Sequence, residues 1–97
     1  MTNLEIYKKA EKAGLENAKN VEPLGNGYVY IKLHKSDFSK WALKEGLAEK
    51  DIERGTVIVV PSQDSYGSLL KEEAFAEAFS KVLTENNIIN RAGSYLT

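Results

Sequence analysis

The hydrophobic pattern changes its period several times along the chain. Leu4, Tyr7, Ala10, Gly14 and Ala18 recur at helical spacing, widened by Ile6, Ala13 and Leu15, and predict a helix over about residues 3–19 with Thr2 or Asn3 as N-cap. Val29, Ile31 and Leu33 then alternate with Tyr28, Tyr30, Lys32 and His34, the period of a strand whose first set faces the core. Ser36 opens a second helix with Phe38, Trp41 and Ala42 on one side and Gly46 as its stop. Thr56-Val-Ile-Val-Val60 has no alternation at all. A β-branched run of this kind, ended by Pro61, reads as a strand covered on both faces. The longest helical pattern runs from Leu69 to about Glu85, through Leu70, Ala74, Phe75, Ala78, Phe79, Val82 and Leu83. Asn86-Asn87 suits a left-handed cap, and Ile88-Ile89 the start of a short third strand.

These elements predict an α/β fold: a small two- or three-stranded, largely parallel sheet packed with three helices in α-β-α-β-α-β order. Leu47 to Gly55 reads as a charged connector. So small a sheet leaves edges that self-association covers, and Tyr28, Tyr30, Tyr66 and Tyr95 add half-apolar surface outside the evident core, so a homo-oligomer is expected. Gly14 costs about 1 kcal/mol relative to Ala inside a helix, which implies a marginal turn or the close approach of another backbone. Trp41, Phe75, Phe79, Ile58 and Val29 are the expected centre of the core.

Length and composition narrow the function classes. Ninety-seven residues make one domain, 1–97, with one core. The absence of Cys excludes disulfides, thiolate metal sites and thiol nucleophiles. With a single His no metal or cofactor is expected, an oxygen-only set from Asp51, Glu53 or Asp64 being the alternative. No apolar signal core or membrane-length run is present, so a cytoplasmic protein is expected. The formal charge of −1 supplies no global attraction to nucleic acid. Locally, Lys32, His34, Lys35, Lys40 and Lys44 surround only Asp37, a basic window whose plainer account is a solvated face.

The leading candidate site is the polar loop after the central strand. Ser62, Gln63, Ser65, Tyr66 and Ser68, with Lys71 one turn inside the following helix, offer hydroxyls, an amide and helix N–H groups to an anion or nucleotide. In a parallel sheet Lys32, His34, Lys35 and Arg91 converge on the same edge. The plainer account makes Ser68 an N-cap and nothing more. A second candidate is the polar face of the first strand, where Tyr28 and Tyr30 with Lys32 and His34 form the stacking platform and basic rim that nucleic-acid binders use. Against it stands a pair of tyrosines half-buried under a helix or in an interface. Catalytic signals are thin: Ser68-x-x-Lys71 has acyl-transferase spacing without partner motifs, and His34 sits in no nucleophile elbow.

Read in order, Ile6-Tyr7, Ala13-Gly14, Pro23, Lys32 leading to Ser36-x-Phe38, and Gly55 before an aliphatic strand form a recurring set of landmarks. Glu73-Ala-Phe-Ala-x-Ala-Phe79-x-x-Val82-Leu83, Ile88 and Ala92-Gly93-Ser94 complete it, and together they resemble a family of small α/β proteins encoded by phages, prophages and mobile elements. Leu33, Gly67 and Tyr95 depart from that pattern. The family carries no established activity, so the resemblance implies only an accessory protein working in a host cytoplasm. The expectation is a non-enzymatic binding or inhibitory module that sequesters a small phosphorylated ligand or blocks a host-defence protein. The alternatives are a nucleic-acid binder using the Tyr28, Tyr30 and Lys32 face and a small hydrolase or nuclease using His34.

Overall fold

The structure, a computed structural model, describes the backbone of residues 1–61 and 68–96 and the side chains of residues 1–61 and 68–94. The chain folds as α1 (Asn3–Ala18), β1 (Gly27–Leu33), α2 (Asp37–Lys44), β2 (Glu49–Asp51), β3 (Gly55–Val59), α3 (Leu69–Glu85) and β4 (Asn90–Leu96). The four strands form one sheet in the order β2-β3-β1-β4, antiparallel at every step. After α1 the order is β-α-β-β-α-β, a split βαβ, ferredoxin-like arrangement.

This corrects the largely parallel, two- or three-stranded sheet expected from the sequence. The difference comes from Glu49-Lys50-Asp51. Those three residues form a short strand after α2, so the chain reverses once more in a hairpin and β3 returns antiparallel to β1. A charged tripeptide has no hydrophobic alternation, and nothing in the periodicity marks it as a strand. The inference that β3 is interior does hold, since it lies between β2 and β1 with Val57 and Ile58 buried.

Local chemistry sets the helix ends. The Thr2 hydroxyl accepts the Glu5 N–H at 3.1 Å while the Glu5 carboxylate accepts the Thr2 N–H at 3.0 Å, a reciprocal cap for α1. Ser36 and Ser39 do the same for α2. Asn87 takes the left-handed conformation after α3 (φ 62°), and Asn90 then pins the start of β4 to that helix through Ser80 and Thr84.

All three helices contribute to the face of the sheet that carries Val29, Ile31 and Leu33 of β1 and Ile58 of β3. Phe75, Phe79, Val82 and Leu83 of α3 fill the layer between, with Ile6 and Ala10 of α1 and Phe38 and Ala42 of α2. Trp41 is only half-buried, contrary to expectation, because its ring lies against Tyr7 and Phe38 at the margin of the core. At Gly14 the close approach is made by a side chain. A Cβ there would stand 2.7 Å from the Phe75 ring, itself stacked on Phe79. Overpacking of about 1–3 kcal/mol in Gly14→Ala should offset its gain of about 1 kcal/mol in helix propensity, for a net destabilisation of up to about 2 kcal/mol. Urea unfolding checks the sign, and a stabilised variant would show that the Phe75 ring moves aside freely.

Candidate functional site

Cross-strand partners share a face, so the register places Tyr28, Tyr30 and Lys32 on the face opposite the core together with Val57 and Val59 of β3 and Gly93 and Arg91 of β4. The Tyr28 and Tyr30 rings lie 5.8 Å apart. Tyr30 leans across β4, where a Cβ on Gly93 would come 2.5 Å from its hydroxyl oxygen, so a larger residue there would push the ring aside. The Arg54 guanidinium sits over both tyrosines, 5.0 Å from the Tyr30 centroid and 5.9 Å from that of Tyr28.

The β2–β3 hairpin holds Arg54 in place. Asp51 Oδ1 accepts the backbone N–H groups of Glu53 and Arg54 at 2.8 and 2.9 Å, and its Oδ2 lies 3.5 Å from the guanidinium. Those backbone bonds hold the Asp51 carboxyl below its usual value, so it stays ionised as an anchor. Gly55 completes the turn at φ +83°.

Beside the tyrosines, a groove of about 580 Å³ runs between the end of β1, α2 and the hairpin. Lys32, His34, Lys35, Lys40, Lys50 and Arg54 line it, and Glu53 is the one acid among the described residues on its walls. Antiparallel pairing produces this cluster: Leu33 lies opposite Thr56, which sets the hairpin with Lys50 and Arg54 against the His34-Lys35 turn. Arg91, opposite Lys32, continues the basic band onto β4.

The site expected from the sequence divides in two. Because β3 is antiparallel to β1, the chain leaves β3 beside Val29, at the end of the sheet away from His34 and Lys35. Lys32, His34, Lys35 and Arg91 therefore gather without Ser68 and Lys71. Ser62, Gln63, Ser65 and Tyr66, and Asp64 of the oxygen-only alternative, lie outside the described residues. At the start of α3 the groups reserved for an anion are engaged by the protein. The Leu69 and Leu70 N–H groups donate to the Gly25 and Leu24 carbonyls, and Lys71 Nζ donates to the Ala18 and Lys19 carbonyls at 2.8 and 3.2 Å, closing the C-terminus of α1. The Ser68 hydroxyl donates to Glu72 at 3.1 Å rather than capping its own helix.

Burial pushes the Glu72 carboxyl above its usual range, partly offset by the bond from Ser68. A carboxyl whose folded value is raised binds its proton more readily folded than unfolded, so the protein loses stability as pH rises through that window and carries the full penalty above it. Glu72→Gln should thus raise Tm at pH 7 and leave it unchanged near the acid end of the window. Equal shifts at both pH values would show that the carboxylate is not penalised.

Lys50 and Arg54 are the groove residues that hydrophobic patterning passed over. The signal for them is Asp51-x-x-Arg54-Gly55, an Asp able to bond its own downstream N–H groups followed by a glycine, which is hairpin chemistry. Among the described residues no cluster of three His, Asp or Glu side chains could hold a metal ion. No described helix is long and apolar enough to cross a membrane.

Fold and site together define a small α/β domain with its helices on one face of the sheet, a tyrosine pair on the other, and a basic groove at the end of the sheet between α2 and the β2–β3 hairpin. Comparison with protein-family models, curated proteins and solved structures finds no match to the chain.

Proposed function

We propose that the protein binds single-stranded nucleic acid, with the phosphate backbone in the basic groove and bases stacked on the Tyr28 and Tyr30 rings or on the Arg54 guanidinium that covers them. The observation that carries this reading is the groove wall itself, five Lys or Arg side chains and a histidine against one carboxylate, opening at Lys32 and Arg54 onto two aromatic rings. A charged track beside stacking side chains is what sequence-tolerant single-strand binding requires. A strand engages either the tyrosines, by displacing Arg54, or the planar guanidinium.

The sheet topology alone adds no support, since one arrangement hosts many functions. On the neighbouring strand β3 the same face carries Val57 and Val59, so the stacking rings are those of β1. A small phosphorylated ligand is the competing occupant of the same groove, whose volume would accept one. The two differ in the number of phosphates engaged. Fluorescence anisotropy with a labelled oligothymidylate of about 15 nucleotides should give a logarithmic salt slope of about −3 if about four phosphates are neutralised at about −0.7 each. A shallow slope with displacement by ATP or a cyclic dinucleotide would replace this reading with the small-ligand one. No binding to any of these probes would end both.

A further inference from the structure

The two edges of the sheet are built differently. β2 is three residues long and wholly charged, Glu49-Lys50-Asp51, which discourages another strand from pairing with it. β4 is seven residues long, forms the other edge, and carries the small residues Ala92, Gly93 and Ser94 at its middle. Small neutral side chains leave an edge backbone open to a further strand. Between β4 and α3 the helical layer also stops short, leaving a cleft of about 270 Å³ with an apolar floor that includes Ala76 and Ala92 and two carboxylates, Glu73 and Glu77, above it. Glu73 accepts the Ser94 hydroxyl at 2.9 Å, so this carboxylate already faces the edge strand.

The geometry points to β4 as a docking edge for an extended segment of a partner protein with Lys or Arg at alternate positions. A strand paired with β4 places the residues opposite Ala92 and Ser94 on the helical side, toward the cleft. There a Lys or Arg stem covers the apolar floor while its cationic head reaches Glu73 and Glu77. The cleft is smaller than the ~300–1,000 Å³ usual for small-molecule pockets, which suits single side chains delivered by a strand. Charge selects this occupant over a second copy of the chain. Among the described side chains, a second β4 would present Asn90, Ala92 and Ser94 to the cleft, with no cation to meet the carboxylates, and would bring Glu73 and Glu77 of both copies to one seam. This edge is separate from the basic groove, and the inference stands without the nucleic-acid reading.

The test uses the whole ¹⁵N-labelled chain and a synthetic probe, acetyl-Val-Lys-Thr-Lys-Val-Lys-Thr-amide. Amide shifts and slowed hydrogen exchange should centre on residues 91–94. The same peptide N-methylated at alternate residues should not bind, since it cannot complete the ladder. Replacing Glu73→Gln and Glu77→Gln together, both exposed, should weaken the unmodified peptide about tenfold with the rest of the spectrum preserved. Undiminished affinity in that variant would overturn the proposal. So would shifts centred elsewhere, absence of binding at millimolar peptide, or a sedimenting dimer whose β4 amides are protected without any peptide.

Discussion

Replacing Phe79→Ala is expected to lower the free energy of unfolding by about 3–5 kcal/mol. The ring is 1% exposed and sits in the middle of α3. It stacks on Phe75 with centroids 5.7 Å apart and takes the edge of Tyr7 at 5.4 Å, so it joins α3 to α1 above the sheet. Truncation removes the transfer energy of the ring and leaves a cavity that three packed helices and a sheet cannot close. Since small domains are stable by only about 5–15 kcal/mol, the variant should be partly unfolded at elevated temperature. Urea titration of both proteins measures the difference, and a loss under about 1 kcal/mol would show that Phe79 is not the keystone of the helical layer.

The double charge reversal Lys35→Glu with Lys40→Glu should weaken oligothymidylate binding by roughly 30-fold or more, taking about 1 kcal/mol for each solvent-screened lysine–phosphate pair and adding repulsion from the new carboxylates. Both side chains are exposed groove residues outside the core, so the melting temperature should barely change. The salt slope should become shallower by about 1.4, since two fewer phosphates are neutralised at about 0.7 each. An unchanged slope in the folded variant would remove the groove from the binding surface. Tyr28 and Tyr30 would then have to bind alone.

The candidate site was legible in parts, and unevenly. The alternation of β1 put Tyr28, Tyr30 and Lys32 on one face, and the structure keeps them there, with Lys32 also lining the groove together with Lys35 and Lys40 of the basic window. The loop favoured from sequence rests on a strand end and a helix start, and the convergence of Lys32, His34, Lys35 and Arg91 on it requires a parallel sheet. With that premise corrected, Lys71 proves to close the C-terminus of α1 and the first N–H groups of α3 meet the Leu24 and Gly25 carbonyls. A helix start always offers unpaired donors, and only the surrounding chain tells whether water, a ligand or another backbone takes them. Arg54 shows the converse. It stands in a charged connector without periodicity, yet a three-residue turn anchored by Asp51 lays it across two aromatic rings from the neighbouring strand.

By itself the sequence determined what local physics controls. The spacing of Leu69 to Glu85 specified a 17-residue helix at its observed ends, the reciprocal Thr2–Glu5 and Ser36–Ser39 caps lie within three residues of one another, and the unbroken run at Thr56 marked an interior strand. Each of these is settled by neighbours in the chain or by one residue's need for burial. Only the tertiary structure decided strand direction, and with it which charges meet. Direction depended on a three-residue hairpin arm whose stability comes from pairing with β3 and not from its own composition. Once β3 runs antiparallel to β1, the turn at His34 faces the β2–β3 hairpin, and the basic groups of two distant segments line one groove while the net charge of the chain stays at −1.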